Sequence, residues 1–461
     1  MKRPHKLFAS VDAASLAVFR IGFGVIMMWE VYRYLSKDWI ERYYIEPSFH
    51  FKYYGFEWVQ AWPGDGMYIH FAVLGILAFL VCIGFLYRWA IIAFTLGFIY
   101  LFLLDQTQYL NHFYFIILLS TLLCFVPANR MWSVDALRRY IGPQGVPTWS
   151  VWLLRAQMEI MFLYAGLVKL NADWLDLKPM STWLAVRSDF PLIGHMFHEP
   201  WVLAVASYGV IALHLVGAPL LLVRRTRLTV FFFYVVFHLM NHRFFNIGIF
   251  PWITLFGTLI FFEADWPRRL YASVREMLQR NVEELRAATG RFNHDILPPR
   301  RHRAVVLMIA SLWISVQILF PLRHYLYPGD VAWTGEGHRF AWRMKLHTKR
   351  GESRFEVHDS TTGRVWQIEP EQYLSRRQYR KMSTRPDMIL QFAHYLEERW
   401  RVDYRIPHVE VYATVLSSLN YRQPALLIDP TRNLVQVTRS LRAADWILPL
   451  PDSVRMASGQ P

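Results

Sequence analysis

Apolar residues fill nearly the whole of the stretches at about 13–35, 69–87, 89–104, 113–127, 151–170, 201–223, 228–240, 247–263 and 304–322. A helix that crosses a bilayer needs roughly 20 such residues in succession, so this pattern rules out most soluble folds. It predicts an α-helical integral membrane bundle of about nine transmembrane helices over residues 1–323. The blocks at 89–104, 113–127 and 228–240 are short and are expected to tilt, pack deep in the bundle or re-enter.

Charge placement orients the bundle. The 461 residues carry a formal net charge of +15, which alone could suggest nucleic acid. Much of that charge sits instead in short loops between apolar blocks, as orientation during insertion and anionic lipid would require. With the N-terminus cytoplasmic, the inner segments hold Lys2, Arg3 and Lys6, Arg88, Arg130, Arg138 and Arg139, Arg224, Arg225 and Arg227, and nine arginines between Ala264 and Arg303. The outer loops hold only Lys37, Arg42, Lys52, Lys178, Arg187 and Arg243. Residues 264–303 form a cytoplasmic basic segment, with an amphipathic helix from Trp266 to Phe292 expected along the membrane surface. No small-residue cleavage site follows the first block, which reads as a retained helix and not a signal peptide. The two cysteines, Cys82 and Cys124, lie inside apolar segments and imply no disulfide framework.

Past the last block the composition turns charged and rich in Trp and Tyr. Alternating runs at Arg354 to His358 and Arg364 to Ile368 flank Ser360-Thr361-Thr362-Gly363, a hairpin signal. A helix from Asp387 to Trp400 follows Pro386, and His408 to Val415 and Ala425 to Ile428 read as strands. Residues 324–461 are therefore expected to be a mixed, β-rich soluble domain on the extracytoplasmic side.

This topology gathers polar residues at one depth. Lys169 ends the fifth block, Asn111 and His112 open the fourth, and His238 with Asn241 and His242 close the seventh, all toward the outer face. Two readings of Lys169 stay open: an anchor whose ammonium snorkels to the interface, or a base whose burial lowers its proton affinity. Ala165 and Gly166, one turn earlier, would let a neighbouring helix or a flat ligand come close. His238 and His242 have the i,i+4 spacing of a metal pair but no carboxylate third ligand, so no metal is expected. Arg20, Glu30, Arg155 and Glu159 read as bundle structure, with Arg155 and Glu159 an i,i+4 pair.

The run Ala165-Gly166-Leu167-Val168-Lys169-Leu170-Asn171-Ala172-Asp173-Trp174, with Asn111-His112, Trp132-Ser133-Val134-Asp135, Phe237-His238-Leu239-Met240-Asn241 and Phe340-Ala341-Trp342-Arg343-Met344, resembles the vitamin K-dependent γ-carboxylases, and their bacterial members in particular. The resemblance implies an enzyme of the bacterial cell membrane, or of the endoplasmic reticulum for a eukaryotic chain. Lys169 would deprotonate vitamin K hydroquinone, dioxygen would add, and the strongly basic alkoxide formed would take a γ-proton from a peptidyl glutamate. CO2 would then be fixed and the vitamin K epoxide released, with no metal. His112 would act in catalysis beside Lys169, and Asn111 and His238 would position the quinol and its intermediates. Trp342, Met344 and His347 would lie near the glutamate of a protein or peptide substrate. This sequence departs from the family at Val168, where animal members carry a second lysine, at His338 and Phe340 in place of tyrosines, and at His214 in place of an acidic residue. It also lacks the disulfide that ties the two parts of the animal enzyme. Two alternatives stand beside the carboxylase: a quinol epoxidase that does not carboxylate glutamate, and a non-catalytic membrane scaffold binding a lipid or an exported partner. A transporter is disfavoured, since no duplicated set of broken spans is present.

Overall fold

The computed structural model describes residues 6–139, 145–245, 247–278, 298–452 and 454. Five helices are long and apolar enough to cross a membrane: Ala14–Ser36, Gly66–Ile83, Tyr87–Leu104, the broken helix Pro200–Leu220, and Arg300–Leu326 with its tighter last turns. The expected count of nine is thus established only for these five. Helices also form at the other expected blocks, but Asn111–Phe125 and Phe250–Phe261 are short, while Thr148–Leu167 carries Arg155, Gln157 and Glu159 and Arg227–Phe244 carries histidines and arginines. The expected surface helix is present over Trp266–Leu278, where Arg268 meets Asp12 at 2.9 Å; its continuation to Phe292 lies outside the described residues.

Buried charge in the bundle is held by backbone carbonyls. Arg20 is fully buried, and its guanidinium donates to the carbonyls of Ala128, Val81, Cys82 and Trp132 at 2.5–3.1 Å. Those contacts fasten the first helix to the last turn of the second and to the loop that follows the fourth. Arg155 likewise donates to the carbonyls of Ile260 and Phe262, both at 2.8 Å. The expected Arg155–Glu159 pair is not made, because the carbonyls at the frayed end of the Phe250–Phe261 segment offer Arg155 a better-directed set of acceptors.

The C-terminal region is a four-stranded antiparallel sheet in the spatial order Val365–Ile368, Lys349–Asp359, Val409–Leu419, Ala425–Leu426. The hairpin pairs Phe355 with Ile368 and His358 with Val365, as the alternation predicted. Gly363 takes the positive φ of 72° that its turn demands. One face of the sheet packs on the helix Pro386–Asp403, burying Phe355, Val357, Val411, Ile389, Phe392 and Leu396.

One member of that core comes from far away in the chain. Phe51, in the loop after the first helix, is fully buried among Trp333, Phe355 and Phe392. Its neighbours are tied down as well: Lys52 N donates to Gln391 Oε1 at 2.8 Å, and Gln378 Nε2 to the Phe49 carbonyl at 2.6 Å. In return, Trp342 of the C-terminal region is buried in the core of the bundle. Each part thus completes the other's interior.

Candidate functional site

The helix Thr148–Leu167 ends one residue after Gly166, and the chain turns back at Lys169. A Cβ on Gly166 would lie 2.7 Å from Leu215 Cδ2 and 3.0 Å from His214 Cβ. Only glycine lets the neighbouring helix come so close. That neighbour is irregular here: Leu213–Gly217 is wound as a single π-turn, a local widening common where a helix serves a site. The close approach expected at Ala165–Gly166 is therefore made by protein, and it delivers His214.

Lys169 is 5% exposed. Its Nζ donates to the Ala165 carbonyl at 2.6 Å and lies 5.2 Å from the Trp174 ring. Asn171 caps the short helix that follows, accepting from Trp174 N at 3.1 Å. Trp174 is fixed in turn by its indole, which donates to the Ser207 carbonyl at 3.1 Å. The ammonium is thus turned inward and away from the interface, which disfavours the anchor reading.

Lys169 lines a cavity of about 670 Å³ together with Asn111, His112, His238, Met344 and His347. Six of the seven residues singled out from the sequence thus line one cavity. Trp342 does not line it; its indole is buried against Tyr114 and Phe115, with ring centroids 5.0 and 6.0 Å away. Asn111 is already engaged: its Oδ1 accepts from Tyr109 Oη at 3.0 Å and its Nδ2 donates to the Arg343 carbonyl at 3.3 Å. Tyr109 Oη also accepts from Phe340 N at 2.6 Å. Asn111 therefore holds the strap 340–345 against the bundle. The strap needs holding, since Phe340, Trp342 and Lys345 all have positive φ, between 47° and 58°, a conformation costing a bulky residue of order 1–2 kcal/mol.

Hydrogen bonding fixes the tautomers of two buried histidines. The Thr254 hydroxyl donates to the Phe250 carbonyl at 2.7 Å, so its oxygen is left to accept from His238 Nδ1 at 3.4 Å. His238 Nε2 then carries the lone pair, and it is buried with no partner. His214 Nδ1 lies 2.8 Å from the Val210 carbonyl, which can only accept, so His214 Nε2 is also the bare nitrogen. In these tautomers both rings can take a hydrogen bond from a hydroxyl placed in the cavity. His112 lies beside Phe250, with ring centroids 6.0 Å apart, and a Cβ on Gly248 would stand 3.7 Å from His112 Nε2. His242 packs on Trp252 and lies outside the cavity lining.

The end of the cavity nearer the sheet has another character. Arg343, Arg377, Arg380, Lys381 and Arg385 line it, while Lys345 Nζ lies over the Phe245 and Trp183 rings at 4.6 and 5.8 Å. Among the described lining residues the sole carboxylate is Glu30, taken by Arg33 at 2.5 Å. Burial, with Arg343 and Lys349 nearby, pushes His347 down to about 3, so its ring is neutral at pH 7. The sequence reading missed His214 as a lining residue, and it missed the cationic end. The signal for the latter was visible as the basic run Arg376, Arg377, Arg380, Lys381 and Arg385.

A bidentate ion pair joins the Lys169 loop to the sheet. Arg422 donates to both oxygens of Asp173 at 2.5 and 2.7 Å, and Asn420 Nδ2 donates to Oδ2 at 2.6 Å. Burial opposes the charge on Asp173, yet these bonds hold its carboxyl below the usual range. A depressed pKa means that the stabilisation is fully present above the unfolded value of about 3.9 and is lost as pH falls through the folded one. The expected result is that hydrogen-exchange protection of the Asn420–Arg422 turn, taken relative to the intrinsic rate at each pH, holds at pH 5 and falls only below about 4. Asp173→Asn should exchange faster throughout and lose the acid transition; an unchanged profile would mean that the pair contributes nothing to docking.

Two family models match the chain in tandem. The HTTM domain matches residues 8–266, and the vitamin K-dependent gamma-carboxylase, lumenal domain, matches residues 302–453. No solved structure matches.

Proposed function

Because the chain belongs to the vitamin K-dependent gamma-carboxylase family, we propose that it is a membrane enzyme that oxygenates reduced vitamin K to its epoxide and uses this to carboxylate protein glutamate at the γ-carbon, with O2 and CO2 as co-substrates. The observation that carries the reading is the shared cavity. Lys169, His112 and His238 reach it from three helices of the bundle, and Met344 and His347 reach it from the C-terminal region.

The residues suit a flat, dihydroxylated aromatic ligand. Phe162, Phe237 and Phe250 offer ring faces, His238 Nε2 is a buried acceptor without a partner, and Lys169 supplies a desolvated amine. Bound there, the quinol supplies the oxygenation energy that a side chain cannot, since a glutamate γ-CH is too weak an acid for lysine or histidine. Lys169 takes the quinol proton, His112 acts beside it, and His238 orients the ring. Asn111 contributes through the strap, which sets Met344 and His347 at the glutamate. Neutral His347 binds the substrate by hydrogen bonding, and Trp342 supports the strap from behind.

The same reading gives residues 1–323 to a membrane domain of about nine spans with a cytoplasmic N-terminus, with 264–303 as its basic cytoplasmic segment. It gives 324–461 to the extracytoplasmic side and the whole chain to a bacterial cell membrane. The test is a double assay on membranes given reduced vitamin K, labelled bicarbonate and a glutamyl peptide. Epoxide and labelled peptide together are expected. Epoxide alone would leave a quinol epoxidase, and neither product would leave a scaffold.

A further inference from the structure

We propose that Arg343, Arg377, Arg380, Lys381 and Arg385 form a binding site for a geminal dicarboxylate dianion, the malonyl side chain that carboxylation of glutamate creates. The assignment rests on the proposed reaction only for the choice of anion; the site itself rests on unpaired charge.

Carboxylates elsewhere around the cavity are already spoken for. Asp387 is taken by Arg339 at 2.7 Å, Asp173 by Arg422, and Glu30 by Arg33. Arg343 Nε and Arg377 Nε are buried with no hydrogen-bond partner, and the bond Arg377 does make is a long one, 3.3 Å to the Thr107 carbonyl. Arg380 stands exposed at the rim, while Arg343, Lys381 and Arg385 are half-buried. Buried donors of this kind are costly unless an acceptor meets them. The cations also crowd one another: Arg385 foremost, then burial, Arg377 and Arg380, drive Lys381 well below the usual lysine range. An anion with two negative charges would relieve both the repulsion and the missing bonds.

The charge change of the reaction fits this end of the cavity. Loss of a γ-proton and addition of CO2 turn one carboxylate into two on the same carbon, so the side chain passes from one negative charge to two. Guanidinium groups present paired N–H donors that match carboxylate oxygens. The cluster therefore favours product over substrate. Release of the modified side chain, and not only its formation, becomes a step this end of the cavity controls.

The test uses the full chain in detergent or nanodiscs, with radiolabelled malonate as probe and propionate and phosphate as competitors, measured by equilibrium dialysis. Malonate should bind at least about tenfold more tightly than propionate and lose about tenfold in Lys381→Gln and in Arg385→Gln. Lys381→Arg, which keeps the charge, should retain binding. Melting curves of the variants show whether each is folded, and Gly209→Ala, outside the cavity lining, should bind malonate as the parent does. Malonate no tighter than propionate, displacement by phosphate better than by malonate, or folded Gln variants that bind normally would each overturn the site. If malonate binds as expected while the double assay yields no labelled peptide, the dicarboxylate site stands and the carboxylase reading falls. If the peptide is labelled but malonate does not bind, the reverse holds.

Discussion

Lys169→Ala is expected to reduce epoxide formation to background, a loss of roughly 100- to 10,000-fold, the range a positioned general base supplies. The structure makes this a clean experiment. Lys169 Nζ has one hydrogen bond, to the carbonyl one turn before it, and one contact with the Trp174 ring, so removing it breaks no connection between elements. The protein should insert in normal amount and retain its melting behaviour. Lys169→Arg should fail almost as badly, because a guanidinium stays protonated and cannot accept the quinol proton. Epoxide at the parent rate in Lys169→Ala would take Lys169 out of the chemistry and return it to the role of an anchor.

Gly248→Val should lower epoxide formation by about 10- to 100-fold while the protein stays folded. Gly248 has a φ of 62°, a conformation that costs a β-branched residue of order 1–2 kcal/mol. Its added Cβ would stand 3.3 Å from Arg33 Nη1 and 3.7 Å from His112 Nε2, so the two methyl groups would enter the cavity where the quinol is proposed to lie. Gly209→Ala is the matching control, since a Cβ there meets nothing within 4 Å. Epoxide rates read alongside circular dichroism separate a blocked cavity from a misfolded one. A Gly248→Val variant with normal turnover would show that the quinol does not lie against His112.

Much of this could be read before any coordinates were known, and for identifiable reasons. Apolar length announces a spanning helix whatever surrounds it, so the first, second, sixth and ninth blocks are plain, whereas the third, read from the sequence as short, gains Tyr87 and Arg88 and reaches 18 residues as Tyr87–Leu104. The hairpin around Gly363 has turn chemistry of its own. The cavity residues Asn111, His112, Lys169 and His238 were legible because charge placement put their helix ends on one face. The remainder depends on contacts that cross the sequence. Arg155 bypasses Glu159 for carbonyls more than 100 residues away, and no helical spacing encodes that choice. His214 reaches the cavity through a π-turn packed on Gly166, which shifts its direction from that of a regular helix. The basic run Arg376 to Arg385 looks like a solvated face until the fold turns it toward the bundle.

The burial of Phe51 inside the C-terminal sheet domain has a consequence for biosynthesis. Phe51 leaves the ribosome early, and its partners Phe355 and Phe392 leave near the end. Until they arrive, the first long loop lacks its anchor, the strap 340–345 does not exist, and the cavity has no wall on that side. A nascent chain can therefore hold Lys169 in the bilayer without a closed chamber around it. On the proposed reaction, such a chain would hold the base without the chamber in which quinol and glutamate meet, because the chamber is assembled last.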